Sequence, residues 1–169
     1  WGYPSIVASG PNATTLHYLQ STRQMQRGDL LLVDAAASYQ GLTGDITRTY
    51  PVTGRFSPDQ RALYDVVLRA QDAGIAAAIP GASVEAVVKV VRHTMGQGLR
   101  TLGLVDAVDG PALDAEISLW FPHSPIHGIG MDVHETVTSL DPGTAFVIEP
   151  GVYVRTDTVD RLRGMPERE

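Results

Sequence analysis

The chain of 169 residues contains no cysteine, which excludes disulfides, thiolate metal ligands and cysteine nucleophiles. That fits a reducing compartment, and a cytoplasmic location is the expectation. No apolar run approaches eighteen residues, so no membrane-spanning helix is expected. Positive charge is also scarce, with 13 Lys and Arg against 19 Asp and Glu and a formal net charge of −6. The basic residues are scattered, whereas phosphate binding needs them clustered, so neither nucleic acid nor an acidic membrane is an expected partner. Short-period repeats and low-complexity stretches are missing too. The chain opens on Trp1-Gly2-Tyr3-Pro4, with no methionine and no basic segment leading into an apolar one. It therefore reads as part of something longer, not as a secretory precursor. What is present, 43% hydrophobic and 19% charged residues, suits a globular domain spanning residues 1–169 with a real core.

The order of elements predicts an α+β domain, with helices packed on one side of an antiparallel sheet. Ser5–Ser9 reads as a strand, Gly10-Pro11-Asn12 as a turn, and Leu16-His17-Tyr18 as a further extended piece. After the turn Arg27-Gly28-Asp29 comes an apolar strand over 29–36. Residues 39–41 reverse the chain, and 42–50 read as the antiparallel partner. Ser57-Pro58-Asp59-Gln60 combines an N-cap serine, proline at the first helical position and a capping-box glutamine. The stripe Leu63, Val66, Val67, Ala70 carries that helix to about Ala78, and Pro80-Gly81 ends it. Ser83 starts a second helix with the stripe Val84, Val87, Val88, Val91, Met95, Leu99, stopping near Gly103. A short third helix follows Pro111 and reaches Trp120. Strand pieces are expected around 123–136 and from Ala145 to Ile148, and a polar, exposed tail from Thr156.

Chemistry concentrates on a few side chains. Asp34 ends the apolar strand Leu30-Leu31-Leu32-Val33, and Asp45 follows eleven residues later on the same predicted hairpin. Either aspartate alone reads as a strand-end or surface residue, Asp45 paired with Arg48. Together they place two carboxylates at one cavity, and a buried carboxylate normally pairs, protonates or binds a metal. Of five histidines, His93 reads as solvent-facing on the second helix. His123 and His127 are four apart, but Pro122 and Pro125 oppose a helix there, and in extended chain both share a face. His134 has the wrong parity, so Gly128 and Gly130 must bend the chain if it is to join them. Glu149 ends the run Ala-Phe-Val-Ile, with no basic residue nearer than Arg155. Two Asp, one Glu and one His form a hard donor set suited to Mn, Co or Zn.

The segments Leu-Leu-Leu-Val-Asp34, Gly44-Asp45-Ile-Thr-Arg-Thr, Ile-His127-Gly-Ile-Gly-Met-Asp-Val-His134 and Val-Ile-Glu149-Pro-Gly-Val-Tyr together carry a resemblance. They resemble the catalytic domain of Xaa-Pro aminopeptidases and Xaa-Pro dipeptidases (prolidases), metallopeptidases of the pita-bread fold. The likeness spans nearly the whole chain, including Ser-Gly-Pro-Asn-Ala, Leu-His17-Tyr and Gly-Arg-Phe-Ser-Pro. It implies a curved antiparallel sheet with helices on its outer face, and hydrolysis of Xaa-Pro bonds in peptides or dipeptides. Asp34 would chelate one of two divalent ions, most readily Mn, and Asp45 would bridge both; His127 and Glu149 would bind the second. Glu149 would also move the proton. His17, His123 and His134 would contact the substrate or steady the tetrahedral intermediate. Two such ions would acidify a shared water and polarise the scissile carbonyl. Relatives of this kind usually pair, so a homodimer is implied.

The resemblance has two gaps. The family's second bridging glutamate, in a context like Arg-Ile-Glu-Asp, has no counterpart up to Glu169, and none of Glu116, Glu135, Glu167 or Glu169 has that setting. The usual N-terminal domain has no counterpart either. With a fifth ligand lacking, these 169 residues alone are expected to bind metal weakly, or one ion only, with little peptidase activity. Calorimetric titration against a longer chain tests this. A methionine-aminopeptidase-like enzyme and a catalytically dead binding protein on the same fold are the alternatives.

Overall fold

The computed structural model describes residues 1–158. Strand β1 (Ile6–Ser9) leads into a 3-10 turn (Gly10–Thr14), then β2 (Leu30–Asp34). A small hairpin of β3 (Ser38–Tyr39) and β4 (Leu42–Thr43) precedes β5 (Thr47–Pro51). Helix α1 (Pro58–Ala77), the short β6 (Ala82–Ser83), α2 (Val84–Thr101) and α3 (Gly110–Trp120) follow. The described part closes with β7 (Ile126–Gly128), β8 (Ser139–Leu140) and β9 (Phe146–Ile148). All strand pairings are antiparallel: a sheet in the order β1-β2-β5, and the pairs β3–β4, β6–β8 and β7–β9. This is the α+β arrangement the sequence predicts.

The helices begin where their capping residues place them. Ser57 accepts a hydrogen bond from the Gln60 backbone N–H (3.2 Å), and the Gln60 side chain accepts one from the Ser57 N–H (2.9 Å). Ser83 Oγ likewise accepts from the Ala86 N–H (3.1 Å). Loss of such a cap costs about 1 kcal/mol. Ser57→Ala is therefore expected to lower the melting temperature by about 3 °C in a chain this size, measured by calorimetry.

The predicted stripes become the core. Val66 and Ala70 of α1 meet Val87, Val91, Met95 and Leu99 of α2, capped by Leu113, Ile117, Trp120 and Phe121 from α3 and its end. A smaller cluster of Ile6, Ala8 and Tyr18 lies under the first sheet. Gly74 lets α1 sit tightly between its neighbours. A Cβ there would lie 2.6 Å from Val91 Cγ2 and 3.0 Å from Ile148 Cγ2. Gln71 Nε2 also donates to the Ile148 carbonyl at 2.8 Å. The helix thereby fixes β9, and with it the residue that follows, Glu149.

Three local expectations are corrected. The partner of β2 is not continuous over 42–50, because residues 38–43 form their own hairpin. Gln40 (φ 51°) and Gly41 (φ 82°) are both left-handed at its turn, a pairing of two positive φ values that a two-residue hairpin loop favours. Leu16-His17-Tyr18 is not extended. His17 has φ 53°, and the chain turns so that Tyr18 enters the small core, where its hydroxyl accepts from Asn12 Nδ2 at 2.8 Å. The tail is exposed at Thr156 and Asp157, as expected, but not at Thr158, which is buried and whose hydroxyl donates to the Leu119 carbonyl (3.3 Å). Residues 159–169, the rest of that tail, lie outside the described part.

Candidate metal centre

Strand parity brings the carboxylates together. Asp34 pairs with Thr47 across β2 and β5, so their side chains share a face. The Ala35 N–H donates to the Ile46 carbonyl at 3.1 Å, carrying the alignment back towards Asp45, two residues before Thr47. On the other ladder His127 lies opposite Val147, which gives Glu149, two residues on, the face of His127. The Glu149 N–H is tied to the Pro125 carbonyl (2.8 Å).

A bridge between Gly128 and Glu135 returns the chain so that His134 meets the same group. Gly130 permits this close reversal, since a Cβ there would sit 2.5 Å from Glu135 Oε1. The His134 ring stands edge-on to His127 at 4.4 Å between centroids, with His17 5.7 Å from His134 on its other side. Asp34, Asp45, His17, His123, His127, His134 and Glu149 all line one cavity of about 410 Å³. Among the described residues, ligand atoms of Asp45, His127 and His134 lie within 4.8 Å of one another. Asp34 joins them through Tyr3, and Glu149 through His127. His93 is exposed on α2, and Arg48 donates to the Thr47 carbonyl, not to Asp45.

His127 carries the most informative chemistry. Its Nδ1 lies 2.9 Å from the Gly128 carbonyl, an acceptor only, so Nδ1 carries the proton. The other nitrogen, Nε2, is buried without a hydrogen-bond partner among the described residues. It nevertheless lies 3.4 Å from Asp45 Oδ2 and 3.2 Å from Glu149 Oε1. In the neutral imidazole a lone pair thus faces two carboxylate oxygens, an arrangement that only a positive charge relieves. A proton on Nε2 is one solution and a divalent cation another, and oxygen and imidazole donors fit Mn, Co or Zn.

The titrations reflect the same crowding. Burial alone would push His127 down from its ordinary 6.5, but the Asp45 and Glu149 carboxylates outweigh it and raise the imidazole to about 10. Burial raises Asp34, helped by the charge of Asp45 and opposed by the Tyr3 hydroxyl. For Asp45 burial also acts upwards, yet His127 and Tyr3 prevail and lower it. A group raised on folding stabilises below its unfolded value and loses that contribution as pH climbs to the folded one. In EDTA, the stability advantage of the natural chain over His127→Gln is therefore expected to be full near pH 6 and to fade towards pH 10. A constant difference in melting temperature across that range contradicts this.

Two contributors had no clear signal in the sequence. Tyr3 donates to Asp34 Oδ1 and lies 3.1 Å from Asp45 Oδ1. It belongs to a segment with no pattern to mark it. Tyr153, the last residue of the Val-Ile-Glu-Pro-Gly-Val-Tyr stretch, lies 2.8 Å from His123 Nε2. His123 Nδ1 faces the Ser124 carbonyl at 2.8 Å, so Nδ1 holds the imidazole proton and the Tyr153 hydroxyl donates to Nε2. Burial, then the charges of Glu149 and Asp34, push Tyr153 up to about 12 and keep it protonated.

Antiparallel ladders thus carry acidic and imidazole donors to one cavity able to hold a divalent cation. The chain belongs to metallopeptidase family M24, whose family model matches residues 1–165. It is 37% identical to Xaa-Pro aminopeptidase of Escherichia coli over 163 residues, 92% of this chain and 37% of that protein. With Xaa-Pro aminopeptidase 3 of Rattus norvegicus the identity is 36% over 174 residues, 98% of this chain and 34% of that one. The solved structure of Pseudomonas aeruginosa aminopeptidase PepP superposes with a TM-score of 0.88 at 36% identity, over 94% of this chain and 38% of that one. The fold is thus the pita-bread fold, and the chain spans a little over a third of the length of these relatives.

Proposed function

We propose that this chain forms the catalytic region of a metal-dependent peptidase that hydrolyses Xaa-Pro bonds at the N-terminus of peptides or in Xaa-Pro dipeptides. The observation that carries the reading is the convergence of seven separately placed side chains on one cavity, with His127 Nε2 left facing two carboxylates. Asp34, Asp45, His127 and Glu149 would hold two divalent ions, Mn first among those their donors suit. Such ions, when bound, supply an acidified water and a polarised scissile carbonyl.

The remaining steps belong to the chain itself. The acidic wall attracts the free α-amine of a peptide, which sets cleavage after the first residue. Glu149, half-buried beside His127, would take a proton and return it to the leaving proline nitrogen. His17 and His134, exposed at the rim, are available to the peptide, while His123 is oriented by Tyr153. A second cavity of about 410 Å³ opens between Asp45–Arg48 and Phe146–Glu149. A cytoplasmic homodimer completes the reading.

The test is hydrolysis of Ala-Pro and Ala-Pro-Ala against Met-Ala by the protein bearing this chain. Cleavage of the Xaa-Pro bond, lost in EDTA and restored by Mn²⁺, is expected. Chelator-insensitive cleavage, or preference for Met-Ala, overturns the proposal.

A further inference from the structure

We infer that Tyr3 is a positioning residue for the metal centre: its hydroxyl ties Asp34 to Asp45 and fixes how the two carboxylates are turned within the cavity. The inference rests on the metal-site reading above. Tyr3 donates to Asp34 Oδ1 and lies 3.1 Å from Asp45 Oδ1, while the other Asp45 oxygen, Oδ2, is the one that faces His127 Nε2 at 3.4 Å. The hydroxyl therefore decides which Asp45 oxygen points at the imidazole. It also places a donor between two carboxylates that would otherwise repel across a half-buried space.

The backbone beneath Tyr3 is built for this placement. The Gly2 N–H donates to the Ala36 carbonyl at 2.9 Å, just beyond the end of β2. Gly2 lies so close to Thr43 that a Cβ there would fall 2.4 Å from Thr43 Cγ2. Thr43 is itself buried, and its N–H donates to the Gly130 carbonyl at 2.8 Å. Gly2 thus lets the first residues approach the β3–β4 hairpin closely enough for the tyrosine to span both aspartates. Partners that orient metal ligands change affinity by about 10- to 100-fold when removed.

Mn²⁺ binding to the protein bearing this chain, followed by calorimetry and by the Mn²⁺ electron paramagnetic resonance spectrum, provides the test, with melting in EDTA as a folding control. Tyr3→Phe keeps the ring and removes the donor. It is expected to weaken Mn²⁺ binding about tenfold or more and to alter the spectrum of the bound ion, while the metal-free variant melts somewhat lower but still cooperatively. Gly2→Ala keeps the hydroxyl but displaces it, is expected to weaken binding in the same direction, and decides the matter if Tyr3→Phe does not fold. Unchanged affinity and spectrum in the folded variant overturn the positioning role while leaving the metal site intact. Failure of the natural chain itself to bind Mn²⁺ overturns the metal-site reading and this inference with it.

Discussion

Asp34→Asn is expected to weaken Mn²⁺ binding by about 100-fold or more, since losing a ligand exceeds the effect of losing a ligand's outer partner. The same variant is expected to melt at a higher temperature than the natural chain in EDTA at neutral pH. Both effects have one cause. Burial and the charge of Asp45 raise the Asp34 carboxyl, so its ionised form is disfavoured in the folded chain when no cation compensates it. A raised group gives its stabilisation at low pH and loses it as pH rises through the folded value, so ionised Asp34 is a burden at neutrality. Asparagine keeps the shape and removes the charge. The gain should shrink as pH falls through the raised folded value and be gone once pH drops below the ordinary 3.8. Calorimetric titration and melting curves measure the two sides, and a variant that binds Mn²⁺ normally contradicts the assignment. An acid kept at the expense of stability is the mark of a functional site.

Trp120→Ala is expected to be the most damaging single change to the fold. Trp120 ends α3 buried in the main core cluster, which also holds Met95, Leu99 and Ile117, and truncation of a buried tryptophan costs about 3–5 kcal/mol. Against a total of about 5–15 kcal/mol for a domain, that is a large share. The melting temperature should fall by about 10 °C or more. Damage should reach the site as well, because the Tyr153 N–H is held by the Trp120 carbonyl and Tyr153 orients His123. Trp120→Phe should cost far less, since the indole Nε1 is buried without a partner among the described residues and phenylalanine removes that donor. Urea unfolding of the two variants tests the contrast, and equal losses contradict it.

The helices were legible because their determinants are local. Ser57 with Gln60, Ser83, and apolar residues at helical spacing need no knowledge of the rest of the chain. The grouping of Asp34, Asp45, His127 and Glu149 was suggested by the motif resemblance, and strand parity explains the shared face of His127 and Glu149 only once the β7–β9 pairing is known. What escaped depends on contacts distant in sequence. The break after Thr43 follows from a separate hairpin, and the left-handed His17 from burial of Tyr18. Tyr3 reaches the site only because Gly2 packs on Thr43, more than forty residues away in sequence. His134 lies between: its glycines signalled a bend, but only the bridge from Gly128 to Glu135 shows how far the chain turns.

Asp34, Asp45, His127 and Glu149 are proposed to cradle divalent cations. Anomalous diffraction from crystals soaked in Mn²⁺ tests this most directly. A peak between Asp45 and His127 Nε2, within coordination distance of both and absent in His127→Gln, is the expected result. No anomalous signal in the cavity at saturating Mn²⁺, or a peak away from these side chains, contradicts the account.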